Sequence, residues 1–434
     1  MTSLTIDIKE ITRVEGHGNI SVRLDDGEIT RLELQIVESP RFFEAFLRGR
    51  RYDEAPHITC RICGICSVGH TTASLKAVEA ACGIEPSEQT KLLRKLILHG
   101  EQLQSHILHL YFLAVPDYLG VGSVIPLAKS HPDVVKRALR MKRLANDVCT
   151  VVGGRHIHPI SLHVGGITHV PLPEQLRAIK LRLEGSRDDL MRTVEVFQGL
   201  NLPSLHRDTE YLSLKVVDNG EYAFYDGDIV STKNSRPTAV ADYRSRVIET
   251  IAPHSAAKHC HTPLSPTYAV GALARFNNNH EQLHPSAKAV ALSLNLTAPC
   301  DNPFHNNTAQ LVETVHCTET AIELIDELLA SGLALEPVIP PSRFGRGVGA
   351  AEVPRGILFH EYGLDAQGRI EDANLIIPTG QNLANIEEDM RVLVAQMLNA
   401  GATKEEITLK LEMLVRAYDP CISCATHFLD VEWT

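Results

Sequence analysis

Residues 3–38 alternate apolar and polar positions through LTIDIKEI, GNISVRL and ITRLELQIV, with the tetrapeptide Asp25-Asp26-Gly27-Glu28 between the last two runs. Alternation sends successive side chains to opposite faces of a strand, and an Asp-Gly pair between two such runs predicts a tight hairpin. From about residue 86 to 117 the period lengthens. Leu92, Leu93, Leu96, Ile97, Leu103 and Ile107 share one broad face of a helix. Similar texture predicts helices over 132–152, 173–198, 307–332, 383–400 and 403–417. The last opens on a capping box, Thr403 with Glu406 three residues on, which satisfies backbone N–H groups at a helix start. Alternation returns around 211–232 on either side of Asn219-Gly220, predicting a second hairpin, and 337–349 reads as an ordered loop. No repeat, low-complexity tract or linker interrupts the chain. The expectation is one α+β unit over 1–434, mainly helical, with a long helix bundle and small antiparallel sheets.

Composition narrows the function classes. The chain has 434 residues, 44% apolar and 22% charged, ordinary for a soluble globular protein with a sizeable core. A formal charge of −11 argues against nucleic acid as a partner, since that needs a clustered positive field. The opening residues lack the basic, apolar, small-residue order of a secretory signal. The apolar run 108–115 falls far short of the roughly 20 residues that span a bilayer. These features predict a cytoplasmic protein with no membrane span.

The chemistry gathers at cysteine. Of ten cysteines, Cys60, Cys82, Cys149, Cys260, Cys300 and Cys317 are scattered and read as small buried hydrophobes. The other four form two CxxC pairs, Cys63/Cys66 and Cys421/Cys424, at opposite ends of the chain. Thiolates are soft donors, so four of them select zinc, iron–sulfur or a thiophilic metal such as nickel. A zinc ribbon joins its pairs across about 15–20 residues, which argues against a local ribbon here. A buried zinc site joining the two ends and a catalytic metal both stay open. His156, His158 and His163 in RHIHPISLH, beside Gly153-Gly154 and Pro159, read as packing residues, and so do His305 and His316.

The surroundings of the pairs are more specific. RxCGxCxxxH around Cys63 and Cys66, and DPCxxCxxH around Cys421 and Cys424, resemble the two signatures of nickel–iron hydrogenase large subunits. ITRVEGHG (11–18), RFFEAFLRGR (41–50), VPRG (353–356) and IIPTGQN (376–382) resemble family segments in the family's order, so the resemblance spans nearly the whole chain. It implies the fold of those subunits, shared with the complex I quinone-pocket subunit, which is not expected to keep the four cysteines. The implied activity is reversible splitting of H2 into protons and electrons at a nickel–iron centre whose iron carries carbon monoxide and cyanide.

The same resemblance implies roles residue by residue. Cys63 and Cys421 would be terminal nickel ligands, and Cys66 and Cys424 would bridge nickel and iron. Arg355 would stand over the open side of the metals, with Asp117 and Asp419 as acidic partners. Glu15 would relay protons from Cys421. His70 would hydrogen-bond near Cys66, and Thr379 would donate to a cyanide ligand. Glu44 and His427 would hold magnesium, or iron, near the C-terminus. Maturation chaperones and an endopeptidase that cuts after His427, releasing 428–434, are implied partners. The chain has no GxGxxG fingerprint and no cysteine run suited to iron–sulfur clusters. Electrons are therefore expected to leave through an iron–sulfur small subunit, then a flavin-containing diaphorase, to a soluble acceptor such as NAD(P), as in the sulfhydrogenase type. A methanogen-type enzyme feeding a heterodisulfide reductase, an H2 sensor and a quinone-module scaffold are the alternatives.

Overall fold

The computed structural model of the chain describes residues 4–217 and 220–426. Strands β1 (Leu4–Ile8), β2 (Gly18–Asp25) and β3 (Glu28–Ile36) form an antiparallel meander in that order. Ile6, Ile20, Val22, Leu24, Leu32, Leu34 and Ile36 are buried, as the alternation requires. The turn between β2 and β3 places both Asp26 and Gly27 at positive φ, the backbone that an Asp-Gly hairpin supplies cheaply.

The helices follow the predicted positions closely. The short α1 (Phe43–Leu47) and the longer α2 (Ser67–Cys82) precede α3 (Glu88–Leu108). The helical path of α3 widens into a π-type turn over His109–Ala114 before resuming at Val115–Tyr118. Pro116 lies just beyond and has no N–H to continue the regular ladder, so a wider turn absorbs it. Next come α4 (Pro132–Gly153), then α5 (Pro173–Gly185) and α6 (Arg187–Gln198), where one continuous helix was expected. The break falls at Gly185-Ser186, where a glycine weakens the helix. Helices α7 (Asn306–Ser331), α8 (Pro378–Asn399) and α9 (Lys404–Ala417) complete the predicted set. Thr403 and Glu406 form the expected capping box, with Glu406 accepting from Thr403 N at 2.8 Å. α3 packs against α4 and α7, and this bundle carries much of the core. About half of the chain is helical.

Two further expectations change. Strand β4 (Glu210–Lys215) pairs antiparallel with β5 (Asp228–Ser231), but Lys215 faces Asp228, so 216–227 connect them rather than a tight turn. Asn219 of the predicted turn lies outside the described residues. The stretch read as a loop over 337–349 enters a strand at Arg346. That strand, β6 (Arg346–Val353), continues antiparallel into β7 (Gly356–Leu364) and β8 (Ile370–Ile376). α2 lies across β6 where Gly347 and Gly349 leave room. A Cβ on either would stand 2.2 and 2.3 Å from the carbonyl oxygens of Ala77 and Ala73 respectively.

Candidate metal centre

The N-terminal cysteine pair sits in the turn that feeds α2, and Cys66 is the residue immediately before its first turn. The amides of Ile65 and Cys66 both donate to Cys63 Sγ, at 3.2 and 3.3 Å. The C-terminal pair follows α9. Asp419 takes a left-handed backbone (φ 49°), a conformation Asp tolerates better than bulkier residues, and this turns the chain out of the helix. A one-turn helix, Ile422–Ala425, then carries Cys424.

Contacts from the N-terminal region join the ends. Ile422 N donates to Glu15 O at 2.9 Å, forming a parallel bridge between Glu15 and Cys421. Gly16 is at φ 86°, and a Cβ there would meet Ile422 Cβ at 2.7 Å and Ser423 N at 2.8 Å. Only glycine allows that approach. The Arg41 guanidinium donates to Ile62 O at 2.7 Å and also to Ser423 O, tying the two cysteine loops together.

The four sulfurs converge within 4.8 Å of one another, all buried. Cys63 and Cys421 are 3.4 Å apart, Cys66 and Cys424 3.5 Å, and Cys421 and Cys424 2.7 Å. Burial pushes the Cys421 and Cys424 thiols well up, whereas hydrogen bonds from Cys421 and Cys424 hold Cys63 well down. Four thiolates cannot share one buried pocket without a multivalent cation, and a soft cation is the natural partner for that donor set. The residues present fit a thiophilic metal centre.

Around the sulfurs stand charged groups with defined partners. Cys421 Sγ donates to Glu15 Oε2 at 3.1 Å, and Ser423 N donates to the same oxygen at 3.1 Å. Arg355 is buried and donates through Nη2 to Asp419 Oδ1 at 2.8 Å and through Nε to Asp419 O. Its positive charge faces Cys421, Cys66 and Cys63. Thr379, on the first turn of α8, accepts from Cys421 N at 3.0 Å.

Residues 41–133 and 265–427 match the nickel-dependent hydrogenase family, and 5–39 match a HoxL-like family. The chain belongs to the nickel-dependent hydrogenase family. It is 35% identical to the alpha chain of sulfhydrogenase 1 from Pyrococcus furiosus, over 98% of each protein. It is 32% identical to an F420-non-reducing hydrogenase protein of Methanothermobacter marburgensis, over 99% of this chain and 96% of that one. A crystal structure of NAD+-reducing [NiFe]-hydrogenase in the H2-reduced state superposes with a TM-score of 0.87 at 29% identity, covering 98% and 99% of the two chains. The hydrogenase large-subunit fold expected from the sequence is the one observed.

Asp117 has other partners than those expected, and the remaining site residues are placed as follows. Asp117, expected beside Arg355, instead takes Arg416 Nε at 2.6 Å and Nη2 at 3.0 Å and also pairs with Arg13. Arg355 draws on Asp419 and, at 3.4 Å, on Ser105 Oγ. His70 Nδ1 meets His360 Nε2 at 3.2 Å, and His360 Nδ1 meets Tyr362 Oη at 2.7 Å. Glu44 Oε1 accepts from Leu375 N at 2.8 Å, anchoring α1 to β8. His427 and the 428–434 tail lie outside the described residues.

Further residues that no sequence pattern singled out stand around the centre. Glu101, on the buried face of α3, accepts from Val68 N at 2.6 Å and Gly69 N at 2.8 Å, clamping the start of α2 just after Cys66. Burial pushes its carboxyl up to about 8. Gln310 donates to Asp419 Oδ2 at 3.2 Å. Ser423 Oγ donates to Glu38 at 2.8 Å.

Proposed function

We propose that the chain is the H2-activating subunit of a heteromeric hydrogenase, with Cys63, Cys66, Cys421 and Cys424 holding a nickel–iron centre. The observation that carries this reading is the convergence of four buried thiols with a carboxylate on one of them and an arginine facing three. When bound, the centre supplies the Lewis acidity that polarises H2 and the redox capacity that takes up its electrons. The protein supplies positioning and proton transfer. Cys63 and Cys421 would hold the nickel as terminal ligands, and Cys66 and Cys424 would be shared with an iron that would carry carbon monoxide and cyanide. Glu15 accepts the proton from Cys421 Sγ across the 3.1 Å contact, held for that task by Ser423 N. Asp419 aims Arg355 at the pocket through two bonds. Asp117 acts one step removed, fixing Arg416 and Arg13 on the chain leading to Asp419. Thr379 would offer its hydroxyl to a cyanide ligand, and His70 would order the surroundings of Cys66. Glu44 and His427 would hold magnesium or iron.

Electrons leave through an iron–sulfur small subunit, then through a flavin-containing diaphorase, to a soluble acceptor such as NAD(P) in the cytoplasm. The likeness to sulfhydrogenase and NAD+-reducing proteins supports this assignment. No helix among the described residues is long and apolar enough to cross a membrane. Residues 1–434 are one unit, and an endopeptidase removes 428–434 after His427 once maturation chaperones have delivered the metals.

The test is metal analysis of the purified complex with infrared spectroscopy and H2-dependent dye reduction. Nickel and iron in comparable amounts, with bands from bound carbon monoxide and cyanide, are expected. A stoichiometric zinc site without those bands would overturn the reading. Intact mass of the active enzyme decides the tail, and a full-length active chain refutes cleavage.

A further inference from the structure

A second group of metal-type donors lies away from the four cysteines. His254 follows the short strand Ile248–Thr250, His259 opens the strand His259–His261, and Glu387 stands on α8. One ligand atom from each lies within 4.8 Å of the other two. Glu387 follows Thr379 by eight positions on α8, about 12 Å along a helix axis. The group is therefore separate from the centre at Cys421.

The three side chains are already oriented. Glu387 Oε1 accepts from Leu34 N at 2.8 Å and meets His254 Nε2 at 2.7 Å, which pins the carboxylate against β3. His259 packs edge-on to His254, with ring centroids 5.5 Å apart and planes at 81°. His259 is buried, and its Nε2 has no hydrogen-bond partner among the described residues. Buried polar nitrogens ordinarily find partners, so an orphan in a cluster of donors marks a place for a ligand. Glu33 adds a further carboxylate whose charge acts on His254 and Glu387. The nearby cations are occupied: Arg31 pairs with Glu33 at 2.7 Å and Lys258 with Glu249 at 3.2 Å.

We propose that His254, His259 and Glu387 form a binding site for a first-row transition dication, with zinc the best match. Two imidazoles and one carboxylate suit a borderline ion, whereas magnesium and calcium take oxygen donors. Tetrahedral zinc with bonds of about 2.0–2.1 Å sets its donors roughly 3.4 Å apart. The cluster reaches that spacing by side-chain rotation, with His254 exchanging its bond to Glu387 for one to the metal. His254 and Glu387 keep 23% and 14% of their side-chain exposure, leaving a wet fourth position. The ion joins β3, the 254–259 segment and α8, whose first turn carries Thr379 to Cys421.

The experiment is titration of the purified holoenzyme complex with Zn2+ after removal of loosely held metal by a mild chelator. One zinc beyond the nickel and iron is expected, with a nitrogen and oxygen shell at the zinc X-ray absorption edge and a higher thermal midpoint. His259→Gln, and separately the more exposed His254→Gln, weaken zinc binding by more than about 100-fold and leave nickel and iron contents unchanged. Failure of the wild-type enzyme to retain zinc at micromolar free metal overturns the proposal. So does a sulfur shell, or undiminished binding in His254→Gln, the variant least exposed to folding failure.

Discussion

Cys421 is where the chemistry of the centre and the connectivity of the chain meet. Its sulfur contacts Cys63, Cys424 and Glu15, and its amide donates to Thr379. Because Glu15 Oε2 also accepts from Ser423 N, Glu15→Gln keeps an oxygen for that amide and removes only the ability to take up a proton. H2-dependent dye reduction is expected to fall by ~10²–10⁴-fold, the usual contribution of a positioned proton-transfer group, with nickel and iron contents unchanged. Turnover within tenfold of wild type would remove Glu15 from the relay. Arg355 makes a different claim. Its planar fork bonds both the carboxylate and the carbonyl of Asp419, and a lysine is a point charge that cannot hold both. Arg355→Lys is expected to keep the metals and lose about 100-fold in turnover, as small misplacements at a reacting centre do. Arg355→Ala leaves a buried, uncompensated Asp419, a cost of about 3–5 kcal/mol, and should lower the yield of folded protein as well. Unchanged turnover in Arg355→Lys would show that the guanidinium geometry is idle.

At the scale of elements, the centre depends on how closely α2 lies on β6. Gly349→Ala places a Cβ 2.3 Å from Ala73 O and 2.4 Å from Ala77 N, both backbone atoms that cannot swing aside. α2 must move, and Cys66 moves with it. Loss of nickel and faster amide exchange along α2 are expected, while Thr403→Ala speeds exchange only in the first turn of α9. Metal-replete Gly349→Ala protein would contradict the coupling. The same packing explains what was legible beforehand. β2 and β3 alternate because one face is covered and the other wet, so their hairpin could be read directly. Every residue of β7 is buried, and β6 carries small residues where α2 presses on it, so neither strand alternates. The same limit applies in the centre. The cysteines, Glu15 and Arg355 stand in compact local patterns. Glu101 and Ser105 look like ordinary interruptions of an amphipathic helix until α2 and Arg355 are brought against them. Asp117 was assigned the wrong arginine because Arg13 and Arg416 reach it only through the tertiary fold.

Across the whole molecule, the buried titratable groups set how stability varies with pH. His99 on α3 and His316 on α7 pack with ring centroids 6.1 Å apart. Burial pushes them down to about 3 and about 4; the charges of His316 and Lys95 lower His99 further, while at His316 the pull of Glu313 opposes burial and His284 adds to it. An exposed histidine titrates near 6.5, so between about pH 4 and 6.5 the unfolded chain binds protons that the native core refuses. Native stability is then lost as pH falls through that window, by up to ~1.4 kcal/mol per pH unit for each histidine. Glu352 acts the other way. Burial raises it to about 7 against the pull of Arg275, so the native state holds a proton that the unfolded chain releases above about 4.5. Glu101, pushed up to about 8, does the same, while buried His259, pushed down to about 4, joins the other two histidines. Between about pH 4.5 and 6.5 the three histidines outweigh the two carboxyls by one proton, and above 6.5 the carboxyls make stability fall as pH rises. The expected profile is a thermal midpoint that is highest near pH 6.5 and declines on both sides. His316→Gln removes one acid-sensitive group without touching the cysteines and should flatten that limb, leaving the segment above pH 6.5 in place. An acid limb equally steep in His316→Gln would mean that its protonation does not drive the loss, and that the carboxylates paired in the native state set it instead.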